Sequence, residues 1–555
     1  MSEVAEKTKI ERLKEDSQGL RGSLREEIVS ETPKFSIDGE HLLKFHGIYQ
    51  QKDRDRRKPG EVSEGPKPFT LMVRGRIPGG RLNWKQWLAW DQIADRYSTH
   101  GLRLTTRQSL QLHGVLKKNL KSAVQDIHQA LSSTTGACGD VVRNVTQAVN
   151  PWGDPKLDQL NAVADLISKH FEVESNAYFE IFLDGQAIVE EKIDRIYGTA
   201  YLPRKFKIGI TAVGNNSIDI YTQDLGLAAT YDDHGQLDGY FVFVGGGMGM
   251  SHSDAETHPR LADNLGWIPA VALIPVTEGV VTTQRDFGNR ENRTFARLKY
   301  LLDKKGVEWF RTEVEQRSGF HFEAKTLPAW KTPPYLGWSQ HRDGSLSLGF
   351  HTLSGRLVDT DKRKLKTTLR ELIQQYELDV QVTADQDLVL LGIPPVAKRA
   401  IEAFLDSRGL SPDSPRKLYD RALTCVALPT CVKALAEGER AGPEIFGWLQ
   451  ESLDRYDLND RAPVIRITGC PNGCARPFTA EIGLVGQLPG HYAVFVGGDA
   501  EGLRLAHKIR DKVKVDTLPE VFDKLTQVWA SEGLAKERFG DFAVRIGFEK
   551  LGALL

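Results

Sequence analysis

Four of the five cysteines in this 555-residue chain stand in its last quarter. They read Cys425-x5-Cys431 in TCVALPTC and Cys470-x3-Cys474 in GCPNGC. Two close pairs can bring four thiolates around one centre, and all-sulfur ligation suits an iron–sulfur cluster or a zinc ion. The x5 gap is long for a zinc knuckle, which favours the cluster; structural zinc and buried or disulfide-bonded thiols are the alternatives. Pro471 and the glycines beside it let the backbone turn tightly about a compact group. Cys138 is remote in sequence from all four.

A second set of residues is cationic. Arg74 and Arg76 lie two apart on a predicted strand, as do Arg103, Thr105 and Arg107, and Lys205 and Lys207 in LPRKFKIGI; each group is expected to share a face. Arg204, Arg143 in GDVVRNV, and Arg285 and Arg290 in TTQRDFGNR extend the set. A solvated sheet face accounts for any one pair. The whole set predicts a cavity for a polyanionic cofactor and a small anion, because arginine grips carboxylates bidentately and lysine offers a compact charge with a proton to give. The run VGGGMGM (244–250) lacks the dinucleotide spacing and reads as a tight turn against a cofactor, or as a structural turn alone. His46 is assigned no role.

The elements that must position these groups repeat. GLRLTTRQSLQLHGV (101–115) matches DVQVTADQDLVLLGI (379–393) without a gap, and a helical pattern follows each. GRIPGGRL (75–82) is mirrored by HTLSGRL (351–357), and VFVGGG (242–247) more weakly by VFVGGD (494–499). Two α+β modules, each present twice about a pseudo-twofold, are expected. Their order is an N-terminal arm at 1–65, a small module at 66–145, a large α/β module at 146–335, a second small module at 336–408 and a second large module at 409–555. Chance similarity of glycine-ended strands is the bland alternative. Copy one carries Arg103, Arg107, Gln111 and His113 where copy two has Gln381, Asp385, Val389 and Leu391. One active centre is therefore expected, with copy two as scaffold.

A formal charge of −1 argues against a general nucleic-acid binder, and no apolar run is long enough to span a membrane. The charged start, MSEVAEKTKIERLKED, lacks the apolar core of a secretory signal. Few cysteines and free thiolates fit a reducing cytoplasm.

LLKFHGIYQQKDRD, VRGRIPGG, RLTTRQSLQLHG, YLPRKFK, VTTQRDFGNR, CVALPTC and GCPNGC together resemble the sulfite and nitrite reductases that carry sirohaem and a 4Fe–4S cluster. The resemblance runs from residue 42 to residue 547. It implies a three-domain α+β and α/β fold, with two half-chains around one sirohaem. All four paired cysteines would ligate the cluster, and Cys474 would also bridge to the sirohaem iron. Arg74, Arg143, Lys205 and Lys207 would bind the substrate anion. Arg103, Thr105, Arg107, Gln111, His113, Arg204, Gln284 and Arg285 fall in segments that line the sirohaem, and Asn472 in the cluster loop. The implied activity is six-electron reduction of sulfite to sulfide. A second lysine at Lys207, where nitrite-reducing relatives carry asparagine, favours sulfite over nitrite. Cys138 stands where some ferredoxin-dependent members link a cysteine to a tyrosine, here Tyr49; a free buried thiol is the alternative. With no flavin or nicotinamide module in the chain, electrons would come from a separate ferredoxin or, alternatively, an NADPH-dependent flavoprotein. A non-catalytic iron–sulfur electron carrier is the reading from a different class.

Overall fold

The computed structural model describes residues 7–52, 54, 69–99, 101–186, 193–252, 254–361, 363–412 and 416–555. Their strands form four five-stranded sheets in two matched pairs. In the first small sheet the order is Ile48–Lys52, Phe69–Arg74, Leu110–Val115, Leu102–Leu104, Arg356–Leu357. In its counterpart it is Gly337–Gln340, Leu346–Phe350, Leu388–Ile393, Asp379–Val382, Arg81–Leu82. Each small sheet thus ends on a strand from the other copy. Arg356 pairs with Arg103 and Leu357 with Leu102, while Arg81 pairs with Gln381 and Leu82 with Val380. The echo of GGRL with SGRL marks this exchange.

The large modules share one topology. Thr146–Gln147, Ile208–Ala212 and Leu225–Tyr231 run parallel, and Leu237–Val244 and Asp263–Pro269 return antiparallel. Leu423–Thr424, Ile465–Thr468, Ile482–Leu488, His491–Val496 and His507–Lys514 repeat that pattern. Leu225 faces Val244 as Ile482 faces Val496, so the VFVGG echo occupies equivalent strands.

Packing follows from the sequence pattern. Leu110–Val115 is buried along its length; the helix Trp84–Tyr97 packs beside it, and Lys117–Gln129 packs on that helix and on strand Phe69–Arg74. Asn83 and Gln86 close the first of these helices with reciprocal side-chain caps. One continuous core runs from Leu20 to Leu410 through both small modules and the first large one, and a second, from Leu418 to Leu551, fills the last module. The N-terminal segment is folded onto this body. Helices Lys9–Asp16, Leu24–Val29 and Ile37–Leu43 bury Leu24, Leu42 and Leu43, and Lys14 Nζ donates to Leu202 O at 2.9 Å. Its strand Ile48–Lys52 joins the first sheet by pairing with Phe69–Arg74.

Candidate functional site: four thiols beside a cationic cleft

Two loops at the ends of the parallel strands carry the paired cysteines. Cys425 follows Leu423–Thr424, and its amide donates to Ile467 O at 3.1 Å. The amides of Leu435 and Ala436 both donate to Gly469 O, at 2.7 and 3.0 Å, which ties the first loop to the second. Gly469 N donates to Cys425 Sγ at 3.3 Å and Asn472 Nδ2 to Cys470 Sγ at 3.5 Å. A Cβ on Gly469 would sit 2.6 Å from Ala436 O, so only glycine fits where the loops meet. Burial raises the Cys425 thiol well above its ordinary value, and Cys474, Cys431 and Cys470 add to the rise. Burial and then Cys474 push Cys470 up to about 12. The thiols therefore lie close enough to repel one another as anions. Yet among the described residues no three His, Cys, Asp or Glu side chains converge as ligands of a single ion would. Four soft sulfur donors on two loops tied together suit an iron–sulfur cluster.

Two of the cationic residues come within electrostatic reach of these loops, Arg103 of Cys425 and Cys474, and Lys207 of Cys474. Lys205 and Lys207 flank buried Phe206 just ahead of the strand Ile208–Ala212, both half-buried and within electrostatic reach of each other. Burial, then Arg297 and Arg107, lower Lys207 to about 7, with Asp224 opposing and the Cys474 thiol within electrostatic reach. Burial, then Lys207 and Arg143, hold Lys205 well below the usual lysine range. Burial first also lowers Arg107 to about 9 and Arg204 to about 10. Arg107 Nη2 donates to Asn144 O at 2.6 Å and Ile208 O at 2.9 Å, while its buried Nε has no hydrogen-bond partner. Cations crowded until they depress one another, one with an orphaned donor, fit a polycarboxylate and a small oxyanion.

Arg74 and Arg143 enter beside Tyr49 and Cys138. Arg74 Nη1 donates to Cys138 Sγ at 2.9 Å, and Arg143 Nη2 donates to the Tyr49 hydroxyl at 3.4 Å. With its amide turned to satisfy both neighbours, Gln111 accepts from Arg74 Nε at 2.8 Å and donates to His113 Nε2 at 3.2 Å. A cavity of about 40 Å³ abuts Tyr49, Arg143 and Arg204 under the N-terminal helices. A larger hollow, about 630 Å³, is lined in part by Arg290 and touches neither Tyr49, Arg143 or Arg204 nor any of the thiols.

Other expected groupings differ. The strand ends at Arg74, so the two-residue period stops there; Arg76 is buried and donates to Ser168 O at 2.7 Å. Leu102–Leu104 ends before Thr105, whose hydroxyl accepts from the amides of Arg107 and Ser109, each at 3.2 Å, and closes a turn. Arg103 consequently parts from Arg107 and pairs with Glu439 at 3.0 Å, and Glu439 also holds Arg356 at 2.6 Å. Arg285 Nη1 donates to Ile196 O at 2.5 Å, Gln284 Nε2 to Ala296 O at 2.7 Å, and Arg290 Nη2 to Tyr201 O at 2.7 Å. The glycine run packs on the second cysteine loop, with Met250 N donating to Pro471 O at 2.9 Å.

Sequence reasoning missed Asp224, Arg297, Lys299, Asp140 and Arg293. Asp224 accepts from Lys207 N at 2.9 Å and pairs with Arg297 at 2.8 Å. Glu481 repeats this in the other half, accepting from Val464 N at 2.8 Å and pairing with Arg538. Lys299, lowered by burial to about 7, donates to Gly249 O at 2.8 Å. Asp140 holds Arg293 at 2.7 Å, with Arg204 3.9 Å away. The cations RTFARLK (293–299) carried a signal in their spacing, but their partners are distant in sequence.

Fold and site define a duplicated α/β protein in which two cysteine loops lie close to a set of buried cations. The chain belongs to the nitrite and sulphite reductase family. The model of the nitrite and sulphite reductase 4Fe-4S domain matches residues 162–322 and 421–555, and that of the nitrite/sulfite reductase ferredoxin-like half domain matches 65–130 and 339–408. The chain is 41% identical over 543 residues to the sulfite reductase [NADPH] hemoprotein beta-component of Myxococcus xanthus, covering 97% of this chain and 96% of that one. It is 38% identical over 566 residues to the sulfite reductase [ferredoxin] of Synechococcus elongatus, covering 98% and 90%. The structure of the Mycobacterium tuberculosis NirA protein superposes with a TM-score of 0.79 at 23% identity, covering 98% of each chain, and shows the shared fold. Among the described residues no helix is long and apolar enough to cross a membrane.

Proposed function

We propose that the protein reduces sulfite to sulfide with six electrons from a separate donor, with nitrite reduction to ammonia as the competing activity. Cys425, Cys431, Cys470 and Cys474 would hold a 4Fe–4S cluster, and the cations beside them a sirohaem. When bound, these groups supply the electrons and the iron at which the anion is held. The observation that carries the reading is the Lys205–Lys207 pair, with Cys474 within electrostatic reach of Lys207. Arg74 and Arg143 orient and neutralise the oxyanion. Lys207 Nζ, poised at about 7, takes a proton as the anion enters and gives it up as oxygen leaves as water. Lys205 shares both tasks. Two cations suit the dianion sulfite better than the monoanion nitrite.

Arg107 and Arg204 are assigned to sirohaem carboxylates, and Gln111 and His113 to the setting of Arg74. Arg103, Thr105, Gln284, Arg285 and Asn472 are assigned to holding the segments around the cofactors. The reading keeps the division of the chain at residues 65, 145, 335 and 408.

The test is the visible spectrum of anaerobically purified protein, with iron, acid-labile sulfide and sulfite-dependent electron uptake on the same sample. A tetrapyrrole spectrum, cluster iron and sulfide release are expected. A cluster without tetrapyrrole, in cells well supplied with sirohaem, would leave an electron carrier instead. For the donor we take a ferredoxin, on the Cys138–Tyr49 placement; turnover with an NADPH-dependent flavoprotein and none with reduced ferredoxin would reverse that assignment. A Tyr49–Cys138 bond would lower the intact mass by two hydrogen atoms, and an unchanged mass excludes it.

A further inference from the structure

Asp219 and Arg476 are counterparts in the two large modules. Each stands the same number of positions beyond the first residue of its parallel strand, Ile208 or Ile465. Each is in the left-handed conformation, φ 48° and 56°, and each precedes one short 3-10 turn, Ile220–Thr222 or Pro477–Thr479. They are also ion-paired, Arg476 Nε to Asp219 Oδ2, and both are buried. A residue that touches its own counterpart lies on the pseudo-twofold axis. Arg466 joins from one side, with Nη1 2.7 Å from Asp219 Oδ2 and 3.5 Å from Arg476 O. Asp385 joins from the other, with Oδ1 2.8 Å from Arg476 Nη2. Although burial opposes it, Arg466 and Arg476 hold the Asp219 carboxyl down at about 2.

Asp385 is in turn the counterpart of Arg107. Thr383 accepts from the amides of Asp385 and Asp387 as Thr105 does from Arg107 and Ser109. The first copy's turn carries a cation; the second copy's sends an anion to a residue two positions beyond Cys474. Arg476 N donates to Gly473 O at 3.0 Å, inside the cysteine loop. A left-handed arginine is a strained state that persists only when its surroundings hold it.

We propose that the buried chain Arg466–Asp219–Arg476–Asp385 positions the 470–474 loop, with Arg476 as the positioning residue that fixes Cys474 and tunes the charge around the centre it ligates. The inference rests on the cluster reading above. The test is made on anaerobic holoprotein as wild type, Arg476→Gln, Arg476→Lys, Asp219→Asn and Asp385→Asn. Iron and acid-labile sulfide are assayed first, then the cluster midpoint potential, the reduced-state EPR spectrum and the thermal midpoint. Removing a nearby cation disfavours the added electron and removing an anion favours it. The potential should therefore fall in R476Q, rise in D219N and D385N, and stay near wild type in R476K, with the EPR spectrum altered in R476Q. A structural role alone would lower thermal midpoints without opposite shifts in potential. Unmoved potentials, or shifts of one sign throughout, overturn the inference. Should R476Q not fold, D219N decides alone: no upward shift overturns it. Wild type without cluster iron would overturn the cofactor reading itself, and this one with it, before any variant is compared.

Discussion

Lys207 shows how much a few neighbours change one side chain. Its pKa falls from 10.5 to about 7 on folding. Between those values the unfolded chain binds the extra proton, so this lysine's contribution to stability rises with pH through that window and is at its lowest below about 7. In cofactor-free protein, Lys207→Met should raise stability by roughly 1–2 kcal/mol at pH 7, since the side chain is only half-buried, and by little at pH 10. Denaturant melts at the two pH values measure this; an equal gain at both would exclude the charge as its cause. In holoprotein, Lys207→Asn should lower kcat/KM for sulfite about 100-fold, the loss of one preorganised charge contact, and for nitrite far less. Steady-state kinetics with both anions check it. That Lys205 neighbours Lys207, and that the two cysteine pairs sit on loops following parallel strands, is legible from local spacing. Arg76 departs from the expectation because the strand ends two residues earlier, and Arg297, just ahead of helix Leu298–Lys305, is not legible because its partner Asp224 lies 73 residues away in the chain.

Among the elements, the exchanged strands Arg81–Leu82 and Arg356–Leu357 are very short, yet each completes the sheet of the opposite copy. Leu357 and Leu82 are almost wholly buried. Leu357→Ala should cost about 2–4 kcal/mol, the usual price of an aliphatic cavity, and should loosen the Leu102–Leu104 strand next to it. Hydrogen exchange at Leu102 and Leu104 reports on the second effect; protection unchanged there would argue that the strand end is held independently. The repeat was legible from the gapless match of 101–115 with 379–393. The exchange was not, because two-residue strands carry too little pattern to reveal their partner.

At the scale of the molecule, the first three modules share one core while the last has its own, and ion pairs such as Arg103–Glu439 and Arg476–Asp219 bind the two bodies together. Fragments 1–335 and 336–555, expressed apart, should each fail to fold cooperatively, since each lacks an edge strand that the other supplies. Mixed during refolding they should recover a two-fragment complex, which size-exclusion chromatography and circular dichroism would detect; two independently stable fragments would refute this. The same exchange has a consequence for descent. Two identical ancestral chains trading strands would already have formed an obligate pair, and fusing their genes would have changed no contact. Fusion would have freed each site from being mutated twice at once. Only then can an aspartate face an arginine at one equivalent position, and one copy keep a reactive centre while the other becomes its mount.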